Sequence, residues 1–261
     1  MQIPVNRFKV GLKADVPLIG LWSSLASNIA SEIVSLAGFD WIVLDAEHGP
    51  SNEMGMLAQL QAISASDTSA IIRVADNDRI LIKRALDIGA QTIIVPQVES
   101  IDEARAAVAA TRYPPDGIRG VGPMARTSRY GGVEGYLKSA GAQTCLIAMC
   151  ESTRGLDSLA DIARVPNVDG VLLGPQDLAA DMEHLDDPAH PDVDAALVNA
   201  VETLHSAGTP AGIMVGSIAE ASRWLMAGCR FVGCSSDAAL LRKSAQDLAS
   251  GLLAASSSKC Q

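Results

Sequence analysis

Acidic and basic side chains follow directly after several short apolar runs of this sequence. One run leads into Asp45, Glu47 and His48, and another has Arg73 near its end. A histidine beside carboxylates is a candidate proton donor and acceptor near neutral pH. A fixed guanidinium can stabilise a developing enolate or carboxylate. We therefore take Asp45, His48 and Arg73 as candidate catalytic residues.

Two further carboxylates, Glu151 and Asp177, follow neighbouring apolar runs. If these runs are adjacent strands, their ends can bring two carboxylates to one hard divalent cation. Water and substrate oxygens would complete an octahedron. The alternative is that each carboxylate caps the helix that follows it.

The positions of the lysines argue against Schiff-base chemistry, which needs a lysine nucleophile in the active site. No lysine lies within or at the end of an apolar run; the lysines are Lys9, Lys13, Lys83, Lys138, Lys243 and Lys259. Together with the paired carboxylates, this favours metal-assisted enolate chemistry.

Eight short apolar runs divide the chain, at residues 18–22, 41–44, 70–74, 92–95, 145–150, 170–173, 211–215 and 231–234. They do not alternate cleanly with polar residues, which is typical of parallel strands covered on both faces. Helical patterns lie between most of them. Eight strands alternating with helices favour a closed (β/α)8 TIM barrel over an open doubly wound sheet, and no GxGxxG motif supports a dinucleotide site.

A barrel would gather the ionisable residues at one mouth, because its strands all end on the same side. Ser-x-x-Glu segments at 100–103 and 217–220 predict helix starts after the fourth and seventh strands. The turn-rich stretch 113–132 predicts a functional loop, such as a lid or a subunit contact. No composition break marks a second domain, so residues 1–261 are expected to form one barrel domain.

The composition narrows the range of partners and compartments. The chain has 261 residues, 48% of them apolar, and a net charge of −10. This acidic balance argues against nucleic acid or an anionic membrane as a partner. We find no signal peptide and no apolar run long enough to span a membrane. Five cysteines without CxxC spacing are typical of reduced thiols, so a cytoplasmic protein is expected.

In these residues the chain resembles the HpcH/HpaI aldolase family, from about residue 18 to residue 241. The matching motifs lie at 38–41 leading into 45–48, at 111–122, at 151–152 and at 174–178. The resemblance implies a phosphoenolpyruvate/pyruvate-type barrel and a class II pyruvate aldolase, like the 4-hydroxy-2-oxoheptanedioate and 2-dehydro-3-deoxyglucarate aldolases. Such an enzyme reversibly cleaves a 4-hydroxy-2-oxo acid to pyruvate, or a close 2-oxo acid, and an aldehyde.

The resemblance also implies residue roles. Glu151 and Asp177 would hold Mg²⁺, Mn²⁺ or Co²⁺, which pyruvate chelates. His48 would be the acid/base residue and Arg73 the group that stabilises the enolate oxygen. Asp87 would raise the basicity of His48, although the helical pattern around Asp87 places it away from the mouth. The implied substrate-binding residues are Trp22, Met149, Gly174, Pro175, Gln176 and Met214.

One position departs from the family pattern. Two residues before the metal-binding glutamate the family commonly has a glutamine that contacts substrate, and this chain has Met149. A thioether cannot replace the hydrogen bonds of an amide. The departure puts the usual substrate contact in question, but not the metal site.

The resemblance further implies a homo-oligomer, typically a hexamer built as a trimer of dimers with exchanged C-terminal helices. The Ala/Leu-rich stretch 238–253 is compatible with a helix that packs against another element. Its partner is not evident from the sequence.

Three other functions stay open. A malyl- or citramalyl-CoA-type lyase, or a phosphoenolpyruvate-type mutase, would use a similar metal barrel. CoA would need a basic groove, for which the sequence offers Arg119, Arg126 and Arg129. A flavin- or phosphate-binding barrel would use 216–217 and 233–236 as a phosphate cradle. A non-catalytic scaffold is disfavoured by the ionisable strand ends.

Overall fold

The architecture is a closed barrel of eight parallel strands, seen in a computed structural model that describes residues 1–14 and 16–257. Each strand pairs with the next along the chain, and the eighth pairs with the first. The strands are β1 (Leu18–Ser23), β2 (Trp41–Asp45), β3 (Ser69–Arg73), β4 (Thr92–Val95), β5 (Cys145–Cys150), β6 (Gly170–Leu173), β7 (Ala211–Val215) and β8 (Phe231–Ser236). All eight predicted runs form strands, which confirms the (β/α)8 barrel.

Twelve helices surround or close the barrel within the described residues. They are α1 (Arg7–Leu12), α2 (Asn28–Ser35), α3 (Glu53–Ile63), α4 (Arg79–Asp87), α5 (Ile101–Thr111), α6 (Tyr136–Gln143), α7 (Thr153–Asp157), α8 (Leu159–Ala163), α9 (Pro175–Asp181), α10 (Pro191–Ala207), α11 (Ile218–Met226) and α12 (Asp237–Ser257). The two predicted helix starts are confirmed, because Ser100 and Ser217 each accept a hydrogen bond from a backbone N–H three residues ahead. No helix in this part of the chain is both long and apolar enough to cross a membrane.

The N-terminal end of the barrel is filled by large aromatic side chains. Phe8 of α1 meets Trp41 and Phe231 edge to face, with ring centroids 5.9 and 5.6 Å apart. Glycines make room for these rings: a Cβ at Gly20 would lie 2.2 Å from Trp41, and one at Gly212 would lie 2.1 Å from Phe231. Helix α1, which the sequence patterns did not predict, thus closes one end of the lumen.

The long segment 113–132 lies at this same N-terminal end. Helix α5 runs back along the barrel after β4, so its end and the segment that follows are remote from the mouth. The amino group of Met1 donates a 3.0 Å hydrogen bond to the carbonyl oxygen of Gly132. The lid alternative is therefore wrong for the mouth of its own barrel, and the subunit-contact alternative stays a prediction.

The cysteines of the described residues are free thiols. Cys145, Cys150 and Cys229 are buried, and burial raises the pKa of the last two to about 12. A thiol with so high a pKa is a poor nucleophile near neutral pH. Cys260 lies outside the described residues.

Candidate active site

Four of the predicted site residues lie at the C-terminal ends of the strands. Asp45 ends β2 and Arg73 ends β3, where the two residues are register partners. Glu151 follows β5 directly, and Asp177 lies in the first turn of α9, after β6. The charges of Asp177 and Arg73 both act on the proton affinity of Glu151. These side chains therefore share one mouth, as the barrel topology predicts.

Asp45 and Arg73 form a buried bidentate pair. Nε of Arg73 donates to Oδ1 of Asp45 at 2.9 Å, and Nη2 donates to Oδ2 at 2.8 Å. Trp22 donates to the same Oδ2 at 3.1 Å, and its ring lies 4.7 Å from the guanidinium carbon. Burial acts to raise the pKa of Asp45, but the hydrogen bonds and charge of Arg73 outweigh it and lower that pKa. Asp45 thus stays ionised and fixes Arg73 in place.

Glu47 is a second carboxylate on Arg73, and the sequence reasoning did not single it out as a site residue. Its Oε2 forms an ion pair with Nη1 of Arg73 at 2.7 Å, without hydrogen-bond geometry. Burial raises the pKa of Glu47, while Arg73 and His48 oppose the rise. Glu47 lies in the bend that follows β2, so strand periodicity does not extend to it. The available signal was its position between Asp45 and His48 in the charged stretch after the strand.

Glu151 combines burial with an unsatisfied oxygen. Its Oε1 accepts a 2.9 Å hydrogen bond from the backbone N–H of Gln97. Its Oε2 is buried and has no hydrogen-bond partner among the described residues. Burial raises the pKa of Glu151 to about 7 against the effect of the Gln97 bond, and the charges of Asp177 and Glu47 add to the rise. A buried carboxylate oxygen without a donor indicates a position for a cation.

Two backbone features shape the space around Glu151. Gln97 has a φ of 52°, an uncommon left-handed conformation for a residue with a side chain. A Cβ at Gly174 would lie 2.7 Å from Oε2 of Glu151, so the glycine keeps the space beside this oxygen open. No sequence pattern indicated Gln97, because its backbone N–H rather than its side chain makes the contact.

The donor set at the mouth fits a divalent cation. Glu151 offers an unsatisfied oxygen, and Asp177 is exposed on the adjacent element. The described residues also contain a group of three possible metal ligands away from the mouth, His184, His190 and Asp192, whose ligand atoms lie within 4.8 Å of one another. Those two imidazole rings stack at 3.5 Å with 15° between their planes, so their in-plane lone pairs do not converge on one ion. The carboxylates at the mouth are therefore the better-placed ligands.

His48 is brought to the mouth, whereas Asp87 is not. His48 is exposed on the loop after β2, and its backbone N–H donates to Oδ1 of Asp45 at 3.4 Å. Helix α4 runs back along the barrel, so Asp87 at its end lies on the opposite side. There it accepts a 2.7 Å hydrogen bond from Nη2 of Arg119. The implied contact between Asp87 and His48 is therefore wrong within one chain.

The predicted substrate-binding residues lie at the mouth or in the lumen below it: Trp22, Met149, Gly174, Pro175, Gln176 and Met214. The sulfur of Met149 is 3.9 Å from Nη1 of Arg73. Gly174 precedes α9 and provides no side-chain cap, so first-turn N–H groups of this helix are available to an anionic ligand.

The phosphate cradle considered from the sequence is not supported. Ser217 accepts a hydrogen bond from the N–H of Glu220 and donates one to its carboxylate at 2.7 Å. Ser236 accepts from the first turn of α12. The two helix starts are therefore capped by the chain itself, and Glu220 and Asp237 add negative charge there.

The arginines considered for a CoA groove are also remote from the mouth. Arg119 is buried and paired with Asp87, and Arg126 donates to the carbonyl oxygen of Ile88 at 2.9 Å. Both contacts lie at the N-terminal end of the barrel. These side chains do not form a basic groove beside Glu151.

Comparison with known proteins agrees with this geometry. The model of the HpcH/HpaI aldolase/citrate lyase family matches residues 18–244. The chain is 46% identical to a pyruvate aldolase of Rhizobium etli, over 95% of this chain and 98% of that one. It is 45% identical to a 4-hydroxy-2-oxo-heptane-1,7-dioate aldolase of Salmonella dublin, over 94% and 93%. A solved HpcH/HpaI aldolase/citrate lyase family protein from Burkholderia cenocepacia J2315 superposes with a TM-score of 0.93 at 39% identity, covering 95% and 99%. The chain belongs to the HpcH/HpaI aldolase/citrate lyase family.

Proposed function

We propose that this protein is a divalent-metal-dependent aldolase. It would reversibly cleave a 4-hydroxy-2-oxo acid to an aldehyde and pyruvate, or a close 2-oxo acid. The observation that carries the proposal is the unsatisfied, buried Oε2 of Glu151, a carboxylate whose proton affinity the charges of Asp177 and Arg73 both affect. The names of the relatives, a pyruvate aldolase and a 4-hydroxy-2-oxo-heptane-1,7-dioate aldolase, support the same reaction class.

Glu151 and Asp177 would hold Mg²⁺, Mn²⁺ or Co²⁺. A cation bound there supplies positive charge next to the keto oxygen of the substrate. The all-oxygen ligand set suits hard divalent ions. The first-turn N–H groups of α9, from Gln176 onward, would receive the carboxylate of the 2-oxo acid.

Arg73 would stabilise the negative charge that develops on the enolate oxygen. Its bidentate bond to Asp45 fixes the guanidinium before substrate arrives, so little reorganisation is needed during reaction. His48, exposed at the mouth, would exchange the proton of the C4 hydroxyl as the C3–C4 bond breaks or forms.

The wall of the 2-oxo acid pocket would be unusually apolar. Met149, Trp22 and Met214 belong to one interior cluster of side chains directly below Arg73. Met149 presents a thioether to the guanidinium and cannot hydrogen-bond to substrate as an amide would. Orientation of the 2-oxo acid would therefore depend on Arg73, the cation and the backbone of α9.

We also propose a homohexamer, arranged as a trimer of dimers, of single-domain chains in the cytoplasm. Exposed leucines along α12 support exchange of this helix between copies. The free, buried thiols are compatible with a reducing compartment.

The reaction is tested directly with purified protein and 4-hydroxy-2-oxo-heptane-1,7-dioate. Pyruvate release is measured after EDTA treatment, with and without added Mn²⁺, Mg²⁺ or Co²⁺. We expect activity to disappear with EDTA and to return with a divalent ion. Full activity in the EDTA-treated protein would contradict the metal requirement, and no pyruvate under any condition would contradict this substrate class.

The ligands are tested with matched carboxylate variants. Glu151→Gln and Asp177→Asn should weaken Mn²⁺ binding, measured by calorimetry, by about 100-fold or more. Asp181→Asn is the control, because Asp181 is an exposed carboxylate on the same helix as Asp177 but bonds Thr153 instead.

His48→Ala should lower kcat by about 100-fold and leave Mn²⁺ binding intact. Loss of Mn²⁺ in His48→Ala would make this residue a ligand instead of an acid/base group.

A further inference from the structure

A line of buried polar side chains runs from the start of α12 to the loop that carries His48. Oγ of Ser23 donates to Oδ2 of Asp237 at 2.9 Å, and it lies 3.3 Å from Oγ of Ser31. Ser31 donates to Oε1 of Gln59 at 3.1 Å. Nε2 of Gln59 in turn donates to Oγ of Ser51 at 3.2 Å. Ser51 ends the short stretch that begins at His48. The hydroxyl protons of Ser23 and Ser31 go to Asp237 and Gln59, so the contact between the two serines is a packing contact that joins a hydrogen-bonded group at α12 to one at this loop.

A second, shorter connection joins the same two ends. The backbone N–H of Ser24 donates to Oδ1 of Asp237 at 2.9 Å, and its hydroxyl donates to the same oxygen at 3.2 Å. Gly49, next to His48, packs closely on this segment. A Cβ at Gly49 would lie 3.5 Å from the carbonyl oxygen of Ser24 and 2.4 Å from that of Asp45. The loop therefore rests directly on the segment that Asp237 holds.

The burial of this line calls for a physical reason. Ser23, Ser31, Gln59 and Asp237 are at most 4% exposed, although they lie where strands and helices pack and apolar side chains would pack well. Buried polar groups add little to stability unless they are bonded, but each hydrogen-bonded group fixes the arrangement of the elements that carry it. The arrangement fixed here is that of the His48 loop on the barrel.

Before His48 the loop is anchored to β2 and β3. The backbone N–H of Ala46 donates to the carbonyl oxygen of Arg73 at 3.0 Å, the N–H groups of Glu47 and His48 donate to Asp45 at 3.1 and 3.4 Å, and Glu47 is ion-paired with Arg73. The imidazole itself is exposed. After His48 the next anchors are Gly49, which packs on the segment that Asp237 holds, and Ser51, which accepts from Gln59.

We propose that Asp237 and Gln59 are positioning residues, which set the place of His48 through Ser24 and Ser51. The proposal rests on the proposed function, because it assigns His48 the proton transfer. Neither residue touches the substrate. Their removal should lower kcat, because misplacement of a reacting group by about 1 Å can slow a reaction substantially. It should leave the metal ligands Glu151 and Asp177, which follow β5 and β6, intact.

The structural part is tested by amide hydrogen exchange of residues 46–56, which does not depend on activity. Gln59→Met removes the amide at similar volume, Asp237→Asn removes the charge, and Ser51→Ala changes only a half-buried hydroxyl. All three should speed exchange in this segment selectively. Ser51→Thr keeps the hydroxyl and should exchange like the unsubstituted protein.

The kinetic part uses 4-hydroxy-2-oxo-heptane-1,7-dioate with Mn²⁺. Gln59→Met and Asp237→Asn should lower kcat about tenfold and Ser51→Ala about threefold, with KM and Mn²⁺ affinity within about twofold. Thr209→Val is the control, because it removes a buried hydroxyl that bonds the Ala163 carbonyl oxygen at the far end of the barrel. It should leave kcat unchanged.

Unchanged kcat and unchanged exchange in Gln59→Met and Ser51→Ala would overturn the proposal. An equal loss of kcat in Thr209→Val would also overturn it, since general destabilisation would then explain the effect. If the unsubstituted protein released no pyruvate, the proposed function would fail instead. The exchange data alone would then decide whether the polar line holds the loop.

Discussion

Asp45 shows how one side chain can orient groups from three neighbouring strands. It binds Arg73 through both oxygens, accepts from Trp22, and accepts from the N–H groups of Glu47 and His48. Arg73, Trp22 and His48 each have a different proposed task, yet all three are bonded to the same carboxylate. We therefore regard Asp45 as the positioning centre of the site rather than as a proton carrier, consistent with its lowered pKa.

The pKa of Glu151 predicts how the stability of the metal-free protein depends on pH. This pKa is about 7 in the folded chain, against an ordinary value of 4.5. The folded state thus binds the proton more tightly than the unfolded chain does. The contribution of Glu151 to the free energy of unfolding is complete below pH 4.5 and is lost as the pH rises through 7. After EDTA treatment, the free energy of unfolding should fall by on the order of 2–3 kcal/mol between about pH 4.5 and pH 7.5.

Glu151→Gln is the informative comparison, because a glutamine resembles the protonated acid and does not titrate. Urea unfolding of this variant should show a shallower decline over the same pH range. In this variant the raised pKa of Glu47 should still make the free energy of unfolding fall with rising pH, but less steeply. Equal slopes in the two proteins would mean that Glu151 is already ionised in the metal-free fold.

The candidate site was predictable where side chains directly end strands. Asp45, Arg73 and Glu151 follow apolar runs, and barrel topology alone brings such positions together. Gln97 was not predictable, because it acts through a backbone N–H turned by a left-handed φ. The helical pattern placed Asp87 away from the mouth, where the structure also has it. The role implied for Asp87 has no support within one chain, because a motif match gives a residue a role but not a position in space.

Among the elements, α1 is the one whose effect can be measured separately from the site. Phe8→Ala should destabilise the protein by about 3–5 kcal/mol, because it opens a cavity between Trp41 and Phe231. Val10→Ala, on the exposed side of the same helix, should cost less than about 1 kcal/mol. Urea unfolding measures both, and Mn²⁺ affinity should change in neither folded protein. Similar unfolding energies for the two variants would show that α1 does not contribute to the core.

The strands were predictable and α1 was not, because only the strands form a clear apolar pattern in the sequence. A parallel strand covered on both faces is a continuous apolar run, which stands out in the sequence. Helix α1 buries only Phe8 and Leu12 of its six residues, and two apolar positions do not establish a helical period. The composition of the segment 113–132 marks it as an unusual loop. It does not indicate at which end of the barrel the segment lies, because that depends on the direction of α5.

At the scale of the whole molecule, α12 carries apolar surface that a single barrel leaves uncovered. Leu241 and Leu248 are 63% and 66% exposed and lie on one face, two turns apart. Replacing both with glutamate should dissociate the proposed hexamer into smaller species in sedimentation experiments, because charge would enter an apolar interface.

The same charges placed on the opposite face provide the control for this experiment. Gln246→Glu with Ser250→Glu should leave the assembly intact, since these exposed residues lie on the face of α12 opposite Leu241 and Leu248. If both double variants stayed at the mass of the unsubstituted protein, α12 would not be part of the interface.

The aromatic closure at the N-terminal end also has a kinetic consequence. Because Phe8, Trp41 and Phe231 pack together at that end, substrates of the proposed reaction would enter and leave through the opposite mouth. A 2-oxo acid bound at the proposed site, beside the buried Arg73 and Glu151, would lie deeper than the exposed His48. In the synthetic direction the 2-oxo acid would then bind before the aldehyde, and in cleavage it would leave last.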